Sequence, residues 1–375
     1  MTASSRPGLV TRFENALRQI DDWIGPEGVD GAAAAVWRRG ELAAEWYAGE
    51  GQPGLPVDES TLFALASVTK PVVAAVVLCL VDDGQLGLDD PLGPYVPAFL
   101  DATDTDGDGH FRSAVTIRQL LCHTSGLPED LTPKQIRMSK KPTLDDLIDA
   151  MGRLPLLNAP GTELRYSNAG YGMLARLVRS VAGRDVWDLA WDRIFEPTNL
   201  INLVARPGPA LDGRIARVAD TARPGTDTEA YNSAYWRNLG LPWGGLFGSA
   251  RDVARFAGSF LPNGPRFLSE TSMRAMTLDQ ARGVPGGVGS LKLRWPRAYW
   301  GLGWEVKGTK IRHWTGDLTS PRTFCHFGAA GTLVWADPER DLALAVFGNR
   351  TTYHHWPFVP ARWAQLSNAV VAAAD

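Results

Sequence analysis

The sequence predicts an α+β chain in which one sheet, drawn from both ends, holds a large and mainly helical insert. Strand-like patterns occupy residues 31–48 and dominate the last quarter, while roughly residues 60–285 show helical periods broken by Gly, Pro and Asp. Strands at both ends with helices between them suggest a discontinuous sheet unit. The length of 375 residues admits two or three compact units. The expected division is 1–60 with 286–375 for the sheet unit and 61–285 for the helical unit.

Near the N-terminus, Val10, Phe13, Leu17, Ile20 and Ile24 recur at steps of three and four, an amphipathic helix with Arg12, Glu14 and Arg18 on its wet side. Residues 31–48 read as a hairpin turning at Arg38-Arg39-Gly40-Glu41. Helices are expected over Pro71–Leu86, Thr116–Leu121, Thr143–Gly152, Gly170–Val181 and Ala250–Phe260, with Ala230–Gly244 an irregular aromatic stretch. Strands follow at Trp300–Val306, Lys310–Trp314, Thr323–Phe327, Thr332–Ala336 and Leu342–Gly348. Asp337–Asp341 turns the chain between the last two. A helix over Pro360–Ala374 closes the chain, with Trp363, Leu366 and Val370 on its apolar face.

Composition removes several function classes. The formal net charge is −3 and the pI about 6.1, so no global basic field recruits phosphate backbones or anionic lipid. No apolar run reaches membrane-spanning length, and mean hydropathy is −0.14. Cys79, Cys122 and Cys325 make no disulfide framework and no Cys-x-x-Cys pair. Residues Met1–Pro7 carry no apolar secretory core, and the expected location is the cytoplasm. The unusual count is 14 tryptophans.

Ser67-Val68-Thr69-Lys70 is a Ser-x-x-Lys that opens a long apolar helix. At a helix start, free N–H groups and the helix dipole favour negative charge developing beside a serine. A lysine three residues on projects from the same face, and desolvation would lower its pKa enough to exchange a proton with the hydroxyl. The bland alternative is an N-cap serine followed by a solvated lysine. Tyr166-Ser167-Asn168 lies in a Gly-bounded turn leading into a helix. A phenol there can act as a base beside an ammonium, and an amide can orient a carbonyl. His326-Phe327-Gly328 ends a strand, where glycine permits close approach of a substrate backbone. Tyr231, Tyr235, Trp236 and Trp243 offer a wall for an acyl pocket, Trp236 above all.

Together these segments resemble the serine β-lactamase-like, penicillin-binding-type hydrolases, which include class C β-lactamases, D-amino-acid peptidases, family VIII carboxylesterases and transacylases. Phe63–Lys70, Leu80–Pro91, Leu120–Pro128, Pro160–Gly172, Gly244–Phe256 and His326 through Pro338 match in order. The resemblance implies an antiparallel sheet with helices on its faces and the helical unit closing the other wall of an active-site cleft. It implies catalysis by Ser67, Lys70 and Tyr166, with the choice of base between the last two open. An oxyanion hole would come from the backbone N–H groups of Ser67 and Ala329. Asn168, His326, Phe327, Gly328 and Trp236 would bind substrate.

The family's β-lactamases carry Lys-Thr-Gly where this chain has His326-Phe327-Gly328. A mostly neutral imidazole and a phenyl ring favour esters or amides without an essential carboxylate over penicillins. The implied function is an acyl-serine hydrolase of the esterase or amidase type. A biosynthetic transacylase is the alternative, and a non-catalytic binding module ranks below both. No cofactor or metal is expected, and the partner is a small acyl substrate rather than nucleic acid or membrane. His313 could pose as the strand histidine, but the distance from His326 to Asp337-Pro338 fits better. His123 reads as a structural turn residue. Asp104–Gly109 resembles the start of a calcium loop, but its twelfth position is Val115 where a glutamate is needed.

Overall fold

The computed structural model describes residues 7–102, 110–353 and 358–375. The acidic stretch Asp104–Gly109 and the first six residues lie outside these. A seven-stranded antiparallel sheet runs, in spatial order, Glu305–Val306, Phe324–Gly328, Thr332–Asp337, Leu342–Gly348, Gly31–Arg38, Glu41–Gln52 and Leu55–Pro56. The two ends of the chain meet at its centre, where Ala32–Arg38 pairs with Leu342–Gly348. The hairpin turn falls on Arg39 and Gly40, both at positive φ, which suits the twist of a tight two-residue connection.

Strand alternation divides this sheet between two cores. Ala32, Ala34 and Val36 face the terminal helices, packing with Phe13, Leu17, Ile20, Trp363, Leu366 and Val370. Ala33, Ala35 and Trp37 face the helical side. The run of alanines lets helices approach closely. The helix Ala250–Gly258 lies on that inner face so tightly that a Cβ at Gly258 would collide with the Trp37 indole.

The helices of the insert form as their caps specify. Thr116 and Thr143 make capping boxes with Gln119 and Asp146, and Ser167 and Ser249 cap Asn168–Ala182 and Ala250–Gly258. The helix Thr69–Asp82 is buried through Leu80, so its periodicity is apolar all round.

Two expectations need correction. Lys310–Trp314 is not a strand: Lys310 and His313 turn into a buried polar cluster, while Ile311 and Arg312 are exposed. Gly286–Val288 and Leu293–Trp295, at the expected boundary, form a small sheet with Leu164–Arg165 of the insert. The aromatic stretch contains a short helix, Ala234–Leu239, capped by Ser233. Among the described residues, no helix is long and apolar enough to cross a membrane.

Candidate active site

Ser67 lies in a 3₁₀ turn, Ala66–Val68, that runs straight into the helix Thr69–Asp82. Ala66 holds φ +46°, a left-handed conformation that a side chain rarely adopts. The preceding residue is tied on both sides: Leu65 N–H donates to Leu246 O (2.9 Å), and Thr332 Oγ1 donates to Leu65 O (3.0 Å). The Ser67 hydroxyl caps no helix; it accepts a hydrogen bond from Lys70 Nζ at 3.1 Å.

Lys70 is wholly buried, and its ammonium also donates to Trp243 O at 2.7 Å. Nζ lies 4.7 Å from the Tyr166 ring centre and 5.6 Å from that of Tyr171. Burial depresses its pKa to about 7, against the opposing pull of the Asp130 and Glu129 charges. This amine therefore exchanges its proton near neutrality.

Tyr166 precedes the Ser167 cap. Ser167 Oγ accepts from Gly170 N–H and donates to Pro128 O, and Tyr166 N–H donates to Gly287 O. His123, at φ +60°, stacks 4.5 Å from the Tyr166 ring and accepts the Ser167 N–H at Nδ1. The Tyr166 hydroxyl is directed at Ser67 but completes no hydrogen bond among the described residues. Burial raises its pKa well above the usual phenol value, with Ser67 pulling the other way. Desolvation thus dominates at this phenol, which holds its proton more firmly than an exposed tyrosine.

His326 and Phe327 point to opposite faces of their strand. His326 is buried, 6.0 Å from the Tyr166 ring and 5.9 Å from Trp300. Burial first, then the nearby Lys70 charge, lower its pKa to about 3, so the ring is neutral. With Nδ1 donating to Phe327 O at 2.9 Å, Nε2 carries the lone pair and has no partner among the described residues. The Phe327 ring instead packs against Trp314 (4.9 Å) and Trp363 (6.2 Å) in the outer core. Its side chain does not reach the cleft, because neighbouring residues of a strand alternate sides.

Gly328 also has a different reason for being glycine. A Cβ there would collide with the Leu65 carbonyl oxygen, so the close approach is to the turn that carries Ser67. That contact brings the Gly328–Ala329 turn beside Leu65–Ser67. Glu305–Val306 covers that strand only at Phe324 and Cys325, so residues 326–328 have no strand paired on that edge among the described residues.

Asn168 opens its helix with Nδ2 donating to Asp130 Oδ2 at 3.0 Å, leaving Oδ1 buried with no partner among the described residues. Asp130 lines a cavity of about 800 Å³ between residues 130–151 and 222–243. Trp236 and Trp243 also line it, and Tyr231 meets the Trp236 ring edge-on at 5.6 Å.

Asp130, the Trp243 carbonyl and Trp300 escaped the sequence reading. Glu129-Asp130 two residues past Leu127 was a visible charge signal, whereas a backbone carbonyl and a packed indole leave no trace in a motif. A second buried cluster, Glu305, His313 and Cys325, brings three potential ligand atoms within 4.8 Å of one another. Lys310 Nζ already meets Glu305 Oε1 at 2.7 Å and supplies the cluster's cation. His313 belongs to this cluster, not to the catalytic group.

The Beta-lactamase family model matches residues 13–366. Penicillin-binding protein 4 of Amycolatopsis lactamdurans is 34% identical over 259 residues, 66% of this chain. The chain spans just under two thirds, 65%, of that relative's length. Esterase EstB of Burkholderia gladioli is 33% identical over 332 residues, covering 80% of this chain and 79% of the esterase. Among solved structures, EstCE1, described as a hydrolase with promiscuous acyltransferase activity, superposes with a TM-score of 0.76 at 21% identity, over 97% of this chain and 98% of its own. That last likeness is one of fold.

Proposed function

The chain belongs to the beta-lactamase family of serine hydrolases, and from that premise we propose that Ser67 attacks ester or amide carbonyls to form an acyl-enzyme. The observation that carries this reading is the wholly buried Lys70 amine, 3.1 Å from Ser67 Oγ and depressed to about 7. Neutral Lys70 takes the serine proton as the hydroxyl attacks. The N–H groups of Ser67 and Ala329 receive the oxyanion. Tyr166, kept protonated by burial, passes its proton to the leaving group and is resupplied by Lys70. A water molecule then releases the acyl group by the same steps in reverse.

Asn168 Oδ1 and His326 Nε2 are free acceptors that orient the substrate. Neutral His326 offers no cation for a carboxylate beside the scissile bond, which favours esters and amides over penicillins. Trp236 contributes a wall of the acyl cavity. Three free cysteines suit a reducing compartment, so the working location is the cytoplasm, the partner a small acyl compound rather than nucleic acid or membrane. Transfer of the acyl group to an amine or alcohol is the second reading, since an acyl-enzyme can be released by either kind of acceptor.

A fluorophosphonate probe tests the nucleophile. Mass spectrometry should find the adduct on Ser67, and Ser67→Ala should lose turnover of p-nitrophenyl acetate. An unlabelled Ser67 in folded protein, or an active Ser67→Ala, refutes the assignment. Products formed with added amine acceptors then separate hydrolysis from transfer.

A further inference from the structure

The cavity lined by Asp130, Trp236 and Trp243 carries a charge pattern that neither the motifs nor the catalytic group explains. Its catalytic end is marked by Trp243, whose carbonyl holds Lys70, and by Asp130, which is engaged with Asn168. Leu131, Ile136, Leu147, Met151 and Leu241 supply apolar walls. Lys134, Arg137 and Arg223 also line it, and none of the three meets a carboxylate among the described residues. Nearby basic side chains outside the cavity are paired: Lys141 with Asp227, Arg217 with Glu229, and Arg237 with Asp212.

Arg223 is the most constrained of the three. Its Nε donates to Thr228 O at 2.9 Å, while one terminal nitrogen is buried with no partner among the described residues. A buried guanidinium nitrogen without an acceptor is costly, and an anion is its natural complement. Lys134 and Arg137 are exposed, so they lie on the solvent side of the cavity and add positive potential there. Three cations against one committed carboxylate are also out of keeping with a chain of net charge −3.

We propose that this cavity selects acyl groups with an apolar body and an anionic end, the anion received by Arg223 with Lys134 and Arg137. A terminal carboxylate is the simplest such group. The anion then sits on the acyl side of the scissile bond, away from neutral His326. The inference rests on the acyl-enzyme reading above, which makes this cavity the acyl side.

Binding to the Ser67→Ala protein tests the proposal without chemistry. Monomethyl suberate should bind at least about tenfold more tightly than dimethyl suberate, a gap of one decade in Kd. The gap should shrink at about 0.5 M NaCl, where charges are screened within a few ångströms. Arg223→Gln, and separately the surface pair Lys134→Gln with Arg137→Gln, should each reduce the preference. Equal or weaker binding of the acid by Ser67→Ala overturns the proposal, as does a preference that survives all three substitutions. p-Nitrophenyl acetate, too short to reach the basic side chains, reports separately on the acyl-enzyme. A protein that turns it over without discriminating the two suberates refutes only the anion site. A protein that binds the acid selectively but leaves Ser67 unlabelled refutes only the nucleophile.

Discussion

Lys70 shows how burial turns an ordinary residue into a reagent. In water its amine would be charged at neutral pH; enclosed by Trp243, Tyr166 and Tyr171 it titrates near 7. The sign of the pH dependence follows. Below about pH 7 the group is an ammonium with no lone pair, so kcat/KM should fall as pH drops through that value and level off above it. Lys70→Met should lower kcat/KM by on the order of 10²–10⁴ and remove that limb, measured with p-nitrophenyl acetate. Gly328 makes a steric counterpart. Gly328→Ala would drive a methyl into the Leu65 carbonyl and displace the turn that carries Ser67. Chemical denaturation should show a loss of about 1–3 kcal/mol, and activity should fall more than stability explains. The Ser-x-x-Lys pairing was legible because helical spacing alone puts the two side chains on one face. The proton affinities were not, since they depend on what encloses each group.

Between elements, the segment Lys310–Trp314 is the clearest case of pattern misleading. Its composition resembles a strand, yet Lys310 donates to Glu305, Tyr299 O and Val306 O, and His313 lies 3.3 Å from the same carboxylate. Strand periodicity records which side chains are apolar. It does not record that a lysine, a glutamate and a histidine can satisfy one another in a core. Both partners of the Lys310–Glu305 pair are 1% exposed, so removing one strands the other. Lys310→Ala should cost about 3–5 kcal/mol in urea unfolding, while Lys310→Met with Glu305→Leu should recover most of it. The cluster stands behind Trp300, over which Lys310 Nζ lies at 5.7 Å, and Trp300 in turn packs against His123, Tyr166 and His326. The floor of the candidate site is thus continuous with a buried ion pair that none of the sequence motifs contains.

Across the molecule, the sheet depends on both ends of the chain. The helix Phe358–Ala374 covers Leu333, Trp335, Leu344 and Val346, and Ser367 accepts the Trp335 indole N–H at 2.9 Å. Losing the buried Trp363, Leu366 and Val370 forfeits about 1.5–3 kcal/mol each, comparable in sum with a typical net stability of about 5–15 kcal/mol. A chain ending at residue 357 should therefore show no cooperative thermal transition and should bind a hydrophobic dye. The pairing of Ser67 with Lys70 could be read from helical spacing and most strands of the sheet from alternation, while Tyr166 was set beside that pair by the family resemblance. Which face His326 and Phe327 take, why Gly328 is glycine, where Trp243 and Asp130 anchor the site, and which amine titrates near neutrality were settled by folding. Each of these depends on atoms distant in the chain, and the energies of burial and close contact exist only once those atoms are brought together.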